Sequence, residues 1–355
     1  MTLPSSPNSI SMSQIANEFG YTQAPATKLG DYRTLASGAN YPQSIGALSF
    51  SSIDGGGSVA TGSNPINMGS FRGTRLQQVV NFHGSGKGGF RLNAKSRYNT
   101  NNSGDVAVVG NYRTRPSNSS GTKVHIHVNQ AIGSERFDPD HCALRTGSWD
   151  GSTTLQVDVG GSGRIQGAGG FGGNGANGDT DGNPGGQGTS GLGVEYSPTQ
   201  VNIASGGIIS GGFGGGGGGG GAHDHDYKSE RTASGSGGGG GAGLPVGQGG
   251  TAGTSGTNGE NGNAATNGEL AGEGGEGRNN DNQAYGGRGG DGGSPNEAAD
   301  AGADGQGGEG SGGEGKAGGG DGAAIRRTNG SIQVNISDPT NALDGRGVTN
   351  ATTVQ

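Results

Sequence analysis

The chain has 355 residues, of which only 26% are apolar, and it carries a formal net charge of −7 at pH 7. The apolar share is about half that of an ordinary globular domain, which excludes a conventional hydrophobic core along the full length. The single cysteine, Cys142, excludes an internal disulfide framework. The sequence has neither the regions of a signal peptide nor an apolar run of membrane-spanning length, so we expect no membrane insertion.

Charge divides the chain into a basic middle and an acidic distal part. Residues 72–136 contain ten Lys and Arg but two acidic residues, whereas residues 251–322 contain twelve acidic and three basic residues. The basic part is rich in Asn and Ser and carries no fingerprint of a nucleic-acid-binding motif. We therefore expect a solvated or interface surface there and no nucleic-acid partner.

Residues 1–75 carry short helix signals. In SISMSQIANEFG, Ser11 can cap a helix, Gln14 completes a capping box and Gly20 can end the helix. The phrases KLGDYRTLASG and NPINMGSFRG repeat the combination of an apolar, an aromatic and a basic residue. A segment this poor in apolar groups does not fold alone, so we interpret it as a set of short amphipathic turns that dock on another protein. The alternative is a few short helical turns in a coil. The side chains expected to dock are Ile15, Phe19, Tyr32 and Phe71.

Residues 76–160 carry the strand signals. LQQVVNFH, DVAVVGNY, KVHIHVNQ and TTLQVDVG are β-branched runs bounded by Gly, Ser and Asn. In VHIHV the aliphatic side chains face one side, and His125 and His127 face the other. The pattern predicts a small β-rich neck domain.

Residues 161–325 form a glycine-rich region, within which residues 161–322 hold 64 of the 88 glycines. The simplest interpretation of such a composition is a disordered segment. Glycines recur every third residue from Gly247 to Gly262, but proline is scarce and the phase breaks, which argues against collagen. A third interpretation is a bundle of polyglycine II helices, which have three residues per turn and find their hydrogen-bond partners in neighbouring helices. The pure glycine run at 214–221 suits a central helix.

The segments LQVDVGGSGRIQGAGGFGGNG and VEYSPTQVNIASGGIISGGFGGGGGGGGA resemble the tail-fibre-tip adhesins of T-even-type bacteriophages over about 155–260. The resemblance implies a sandwich of packed polyglycine II helices whose exposed loops recognise a host outer-membrane protein or a surface glycan. The N-terminal phrases resemble docking segments of phage tail and fibre proteins. This resemblance implies that residues 1–75 are a virion-docking segment and that other phage tail or fibre proteins are its partners. Residues 326–355, with the alternating strand SIQVNIS, resemble the endings of phage minor structural proteins.

The predicted fold is therefore mainly irregular and β. A small β domain is followed by the polyglycine II bundle, and short helical turns lie at the N-terminus. The predicted function is host recognition by a tail-fibre or tail-tip adhesin of the virion, without enzymatic activity. One alternative is a purely structural fibre or spacer protein; an ice-binding protein ranks last, because the Thr/Ala stretch GTAGTSGT is too short for an ice-binding face.

Polar inserts between the glycine runs are the candidate receptor contacts, because Tyr and Arg favour interfaces. The alternative is that these residues only solubilise helix ends. The turn at 294–300 is marked by the same logic. The residues singled out are His223, Asp224, His225, Asp226, Tyr227, Arg231, Asn280, Asp281 and Tyr285.

Three groups of His, Asp and Cys residues could bind a metal or act in catalysis, and each also has a purely structural interpretation. In some trimeric phage fibres and spikes, His-x-His pairs from three chains surround one iron, so a homotrimer could hold iron at His125 and His127. The alternative is that both are exposed polar positions on a β-strand. The insert at 223–228 has residue types that bind metals or sugars, but adjacent residues alternate in direction, so one loop rarely closes a metal site alone. His141 and Cys142 are sequence neighbours, which favours a turn over Cys/His catalysis, and no cofactor is otherwise expected.

Overall fold

The computed structural model describes residues 3–6, 8–19, 29–33, 44–45, 48–49, 53–55, 58–82, 92–100, 106–109, 119–136, 138, 140–226, 229–280, 284–295, 297–307, 311–337, 343–344 and 348–350. Helices are few among them: α1 (Met12–Phe19), α2 (Ala94–Thr100) and 3-10 turns at Leu29–Tyr32 and Met68–Phe71. The capping box is confirmed, since the Gln14 backbone N–H donates to Ser11 Oγ and the Ser11 backbone N–H donates to Gln14 Oε1. Gly20 lies outside the described residues.

The rest of the regular structure consists of short strands. They are β1 (Ser44–Ile45), β2 (Leu48–Ser49), β3 (Ile53–Gly55), β4 (Thr74–Phe82), β5 (Leu92–Asn93), β6 (Val106–Val109), β7 (Lys123–Val128), β8 (Ala131–Gly133), β9 (Cys142–Arg145), β10 (Thr154–Val159), β11 (Arg164–Gln166), β12 (Ser190–Val194), β13 (Thr199–Ile203), β14 (Ile208–Ser210), β15 (Ala222–Asp226), β16 (Ser229–Ala233), β17 (Asn279–Asn280), β18 (Ala284–Tyr285), β19 (Gln306–Gly307), β20 (Ile325–Arg327), β21 (Val334–Ser337), β22 (Leu343–Asp344) and β23 (Val348–Asn350). The predicted strand runs of residues 76–160 and 331–337 are confirmed as β4, β6, β7, β10 and β21.

Three parallel sheets alternate along the chain and form a three-sided β-solenoid. The first sheet contains β7, β10, β13 and β21, the second β8, β11, β14 and β22, and the third β9, β12, β20 and β23. Each strand pairs in parallel with its counterpart one coil later, for example Val157 with Val201 and Ile165 with Ile209. β4 and β5 begin the stack by pairing with β7 and β9, and β3 and β6 flank β4 in antiparallel pairs.

The solenoid interior is filled by aliphatic side chains from all three sheets. Ile126, Ile165 and Leu192 represent the three sheets and have no exposed surface. The predicted alternation in VHIHV is confirmed on this face, since Val124 and Val128 are fully buried in the same cluster. The main apolar core of the described residues thus lies inside the solenoid.

Two glycine-rich excursions leave the solenoid at one corner, between the second and third sheets. Residues 167–189 separate β11 from β12, and residues 211–324 separate β14 from β20. Both excursions return to the third sheet, where β12 and β20 pair in parallel. Strands from both sides of the predicted boundaries at 160 and 325 therefore share sheets. The solenoid and the glycine-rich part are distinct in architecture, but each is built from more than one stretch of the chain.

Residues 211–221 hydrogen-bond to neighbouring segments with a three-residue period. Their N–H groups donate to residues 180–189, 234–243 and 298–306, and their carbonyls accept from residues 167–177, 286–293 and 312–323. The regularity is plain in one series, in which Gly212, Gly215, Gly218 and Gly221 donate to Thr189, Gly186, Asn183 and Thr180. The glycine-rich segments thus satisfy their backbone groups through one another.

Residues before β4 pack into a second, smaller core. Phe19, Tyr32 and Phe71 form edge-on or tilted ring contacts, with centroids 5.2–5.9 Å apart. Leu3, Ile15 and Leu76 complete this aromatic cluster. Because Leu76 belongs to β4, the cluster joins the N-terminal part of the chain to that strand. In its coarse outline the predicted fold is confirmed, because the described chain is mostly strand and irregular with very few helices.

Candidate functional site

The turns between glycine-rich segments lie at two opposite ends of the segments. At one end, the Ser134 N–H donates to the Leu244 carbonyl and the Gln166 side chain donates to the Gly268 carbonyl. The turns that contain Leu244 and Gly268 therefore rest on the solenoid. The hairpin at 222–233 and the turns at 178–180, 255–257 and 279–285 join the same segments at their other ends. We call this second end the tip.

The insert at 222–233 folds as an antiparallel hairpin of β15 and β16. His223 lies opposite Thr232, Asp224 opposite Arg231 and His225 opposite Glu230. His223 and His225 therefore share one face, and their rings meet edge to face with centroids 4.1 Å apart. Asp224 is buried, with 3% of its surface exposed, whereas His225 is exposed.

A second hairpin lies beside the first. β17 and β18 pair in antiparallel fashion with Asn279 opposite Tyr285, and β19 adds a third strand beside β18. Tyr285 is 40% exposed and is one of the two large apolar side chains that the described residues expose this strongly. The tip therefore presents an aromatic ring next to a charged hairpin.

Small side chains hold the two hairpins together. Ala222, Ala233 and Ala284 form a fully buried cluster between them. Backbone bonds extend the contact, since the His223 N–H donates to the Ser311 carbonyl and the Ser234 N–H to the Thr257 carbonyl. The tip loops thus form one continuous surface rather than separate tethers.

The structure brings most of the predicted receptor residues to this tip. His223, Asp224, His225, Arg231 and Tyr285 lie there with their side chains described. For Asp226 and Asn280 only the backbone position at the tip is described, and Tyr227 and Asp281 lie outside the described residues. Whether these residues bind a receptor stays a prediction.

The turn at 294–300 is placed differently from the sequence expectation. The Gly293 N–H donates to the Gly214 carbonyl, at the solenoid end of the central segment. The Ser294 and Glu297 backbones pair with each other there. This turn is therefore separated from the tip by the length of the glycine-rich segments, because each chain reversal alternates between the two ends.

His125 and His127 lie in the first sheet and are buried, with 3% and 4% of their surfaces exposed. His125 Nδ1 lies 2.7 Å from Asp158 Oδ2, its Nε2 contacts Gln77 Oε1, and His127 Nδ1 lies 2.7 Å from Asn81 Oδ1. Burial lowers the pKa of His127 to about 4. The expectation of exposed polar positions is wrong, because neighbouring strands supply polar partners that cover the rings.

No cluster of three or more metal-ligating side chains occurs among the described residues. The same part of the chain contains no helix of the length and apolarity needed to span a bilayer. The trimeric iron site at His125 and His127 stays a prediction, and it would require their present hydrogen bonds to rearrange.

His141 ends a turn that begins at Asp138, as the sequence favoured, and Cys142 follows directly as the first residue of a strand. The His141 N–H donates to the Asp138 carbonyl over 3.0 Å, and Cys142 begins β9 as a buried side chain. Burial raises the pKa of the Cys142 thiol to about 12. A nucleophilic cysteine needs the opposite shift, because the thiolate is the reactive form.

The four predicted docking side chains are all buried inside the chain. Ile15, Phe19, Tyr32 and Phe71 have no exposed surface. Three phrases that are distant in sequence supply one aromatic cluster, so these side chains hold the N-terminal part to β4. Docking through them would require the cluster to open; their docking role stays a prediction.

The family model of the phage tail fibre adhesin Gp38 matches residues 94–348. The chain belongs to the Gp38 phage tail fibre adhesin family. It is therefore a phage tail fibre adhesin, and its place is in the tail fibre of the virion.

Among solved structures, the adhesin is similar to the gp37–gp38 adhesin tip complex of the long tail fiber of bacteriophage S16. The sequence identity is 17%, the TM-score is 0.37, and 96% of each chain is covered. No curated protein matches the chain. The expected function as a tail-fibre adhesin is confirmed by the family match.

Sequence reasoning missed the solenoid and the residues that organise the tip. The signal for the solenoid was present, since VDVGGSGRIQG and VNIASGGIISG share a spacing of aliphatic and glycine positions that becomes the register between coils. No sequence signal marked Ala222, Ala233 and Ala284 as the buried contact between the tip hairpins. Alanine is common throughout the glycine-rich region, so these three positions did not stand out.

Proposed function

We propose that this adhesin recognises the host cell surface through the tip hairpins, 222–233 and 279–285. The observation that carries the proposal is their placement: both hairpins lie side by side at the end of the glycine-rich segments farthest from the solenoid. The receptor class is a host outer-membrane protein or surface glycan. An adhesin needs one surface for its host and another for its virion, and the opposite ends of the molecule can serve these two roles.

We further propose that the glycine-rich segments are polyglycine II helices packed in three layers. Support comes from the three-residue period with which Gly212, Gly215, Gly218 and Gly221 find partners in a single neighbour. Hydrogen-bond adjacency groups the segments into a first layer (181–189, 167–177, 246–254), a middle layer (312–323, 211–221, 234–243, 258–265) and a third layer (298–306, 286–293, 270–278).

A lattice of this kind suits recognition because it holds loops rigidly. Each interior segment is bonded on several sides, so a hairpin at its end starts from a fixed position. A preorganised surface loses less conformational freedom on binding, which improves affinity without new contacts. At about 3.1 Å per residue, the central segment would hold the tip roughly 30 Å from the solenoid.

The tip chemistry fits a polar receptor surface with a few aromatic contacts. Tyr285 offers a partly exposed ring, and Arg231, His223 and His225 offer hydrogen-bond donors on the neighbouring hairpin. Tyr and Arg are enriched among the residues that dominate binding energy at interfaces. These residues are the proposed receptor contacts, together with Asp226, Tyr227, Asn280 and Asp281 of the same hairpins.

We propose that the N-terminal part joins the adhesin to another fibre protein. The aromatic cluster is surrounded by partly buried apolar side chains, including Ile10, Met12, Ile66 and Met68. These side chains keep exposed surface while the buried four do not, so they are better placed for docking. Homotrimerisation, with or without iron at His125 and His127, remains a proposal that metal analysis and sedimentation of the purified protein would test.

The test of host recognition is hairpin exchange in phage that carry the adhesin. Residues 223–232 are replaced by a neutral Ser/Gly/Asn hairpin of equal length, and the adsorption rate constant is measured from the decline of free phage. We expect at least a tenfold loss of adsorption with normal virion assembly. The control, Glu297→Gln at the solenoid end, should adsorb like the parent; unchanged adsorption in the exchanged phage would instead favour a purely structural fibre role for this hairpin.

A further inference from the structure

The two outer layers of the glycine lattice differ in charge. Residues 167–177 and 246–254 of the first layer contain no charged side chain, and Asp181 in its remaining segment is paired with Lys316 over 2.8 Å. The third layer contains five acidic residues, Glu273, Glu276, Asp291, Asp300 and Asp304, against the two basic residues Arg278 and Arg288. The segments 167–177 and 246–254 therefore form an uncharged side, whereas the third layer is acidic, although both are built on the same backbone.

The uncharged side is a regular array of exposed amide and hydroxyl side chains. They recur every third residue in two adjacent segments, which at about 3.1 Å per residue gives a repeat of roughly 9 Å. We call this array the amide face; its exposed residues are Asn174, Asn177, Gln248, Thr251 and Thr254.

Two asparagines of the amide face have a fixed orientation. Asn174 Oδ1 accepts the Thr251 N–H over 2.9 Å and the Thr251 hydroxyl over 3.0 Å. Asn177 Oδ1 accepts the Thr254 N–H over 2.6 Å. Because the acceptor oxygen of each amide is engaged by the lattice, its NH₂ group points away and offers donors to a ligand.

The composition of this face argues against a protein partner. The core of a protein interface is enriched in aromatic and other large apolar side chains. Among the described residues, the large apolar side chains with strong exposure are Leu270 and Tyr285. Leu270 follows a turn at the solenoid end and Tyr285 lies at the tip, so the amide face between the two ends has neither.

We propose that the amide face binds an uncharged, hydroxyl-bearing polysaccharide of the cell surface. Sugar hydroxyls both donate and accept hydrogen bonds, and the face offers NH₂ donors beside threonine oxygens at a constant repeat. A repeating ligand matches a repeating surface, and the absence of charge removes the desolvation cost of an unpaired ion. The proposal extends the proposed host recognition to a second surface and rests on it.

Isosteric variants test the amide face. In Asn174→Asp with Asn177→Asp, a carboxylate oxygen still accepts the lattice N–H groups, but the outward donors become charged acceptors. The probes are fluorescent dextran, mannan and galactan and the uncharged polysaccharide fraction released from the host surface. We expect the parent to bind at least one probe and the double variant to bind it about tenfold more weakly.

Two further variants guard the result against misfolding. Asp291→Asn makes the reverse change on the acidic side, where Asp291 Oδ1 accepts the Gly274 N–H over 2.7 Å; it should bind like the parent. Gln248→Glu adds a charge at an exposed position of the face without changing either asparagine, and it should weaken binding. Equal unfolding temperatures of all variants establish that the lattice is intact.

Several outcomes would overturn the proposal. One is a parent protein that binds none of the uncharged probes, and another is equal binding by parent and double variant. Self-association that the double variant abolishes would assign the face to a second copy instead. The 223–232 hairpin exchange should keep polysaccharide binding even where host adsorption is lost; loss of both would move the polysaccharide site to the tip.

Discussion

The solenoid and the glycine lattice reach a defined structure by opposite means. In the solenoid, side chains such as Ile126 and Leu192 fill a shared interior with no exposed surface. In the lattice, the backbones approach so closely that a Cβ added at Gly216, Gly217 or Gly218 would collide with a neighbouring carbonyl. The first region depends on apolar volume, and the second depends on its absence.

This difference explains why the two regions occur together. Fixing a glycine backbone costs about 1–2 kcal/mol per residue, while each net hydrogen bond returns about 0.5–1.5 kcal/mol. A lattice of glycine therefore gains from a template that already fixes where its segments begin. The solenoid supplies this template, because the excursions at 167–189 and 211–324 start and end on its stacked strands.

The largest effect is expected from adding one methyl group to the lattice. In Gly217→Ala the new Cβ would meet the Lys316 carbonyl oxygen, so neighbouring segments must separate. We expect a loss of more than about 4 kcal/mol in the free energy of unfolding, measured by thermal and urea denaturation.

The matched control for this change is Gly62→Ala, where an added Cβ would meet nothing within 4 Å. We expect a change within about 0.5 kcal/mol for it. Equal stability of the two variants would contradict the view that close backbone approach defines the lattice.

Removing apolar volume should have the corresponding effect in the solenoid. Ile126→Ala leaves a cavity at a fully buried position of β7. We expect a loss of about 2–5 kcal/mol in the free energy of unfolding. A loss below about 1 kcal/mol would mean that the solenoid interior does not limit stability.

Acid should weaken the solenoid before it weakens the lattice segments, which contain no histidine. Burial lowers the pKa of His127 to about 4 from 6.5, so the unfolded chain binds a proton between these values that the folded chain does not. Stability present above pH 6.5 is therefore lost as the pH falls toward 4, by up to about 3 kcal/mol. Unfolding temperatures measured from pH 7 to pH 4.5 should fall, and His127→Gln should flatten the profile; a parallel profile would refute the assignment.

The smallest effect concerns the N-terminal part, which belongs to neither region. Ser11→Ala removes the acceptor of the Gln14 N–H at the start of α1. We expect a loss of about 1 kcal/mol, visible as faster amide exchange in α1. Ser13→Ala, two residues further along in the first turn of the same helix and exposed, should be neutral or slightly stabilising, because alanine has a higher helix propensity than serine.

The sequence by itself determined the local structures of this adhesin. Alternating aliphatic residues in KVHIHV and TTLQVDV specified strands, the pair Ser11 and Gln14 specified a helix start, and glycine at every third position indicated segments with a three-residue period. Each of these signals is short-range, since a strand has a period of two residues and a capping box spans four. The two tip hairpins were also marked, as the polar inserts between glycine runs.

Only the tertiary structure decided how these pieces meet. Pairing of Val157 with Val201 and the alternation of turns between two ends are set by contacts between distant residues, which no local period encodes. The same holds for Phe19, Tyr32 and Phe71, whose scattered positions suggested docking side chains but which pack on one another. The tertiary structure also decided that His125 and His127 are buried. Gln77, Asn81 and Asp158 on neighbouring strands contact their ring nitrogens.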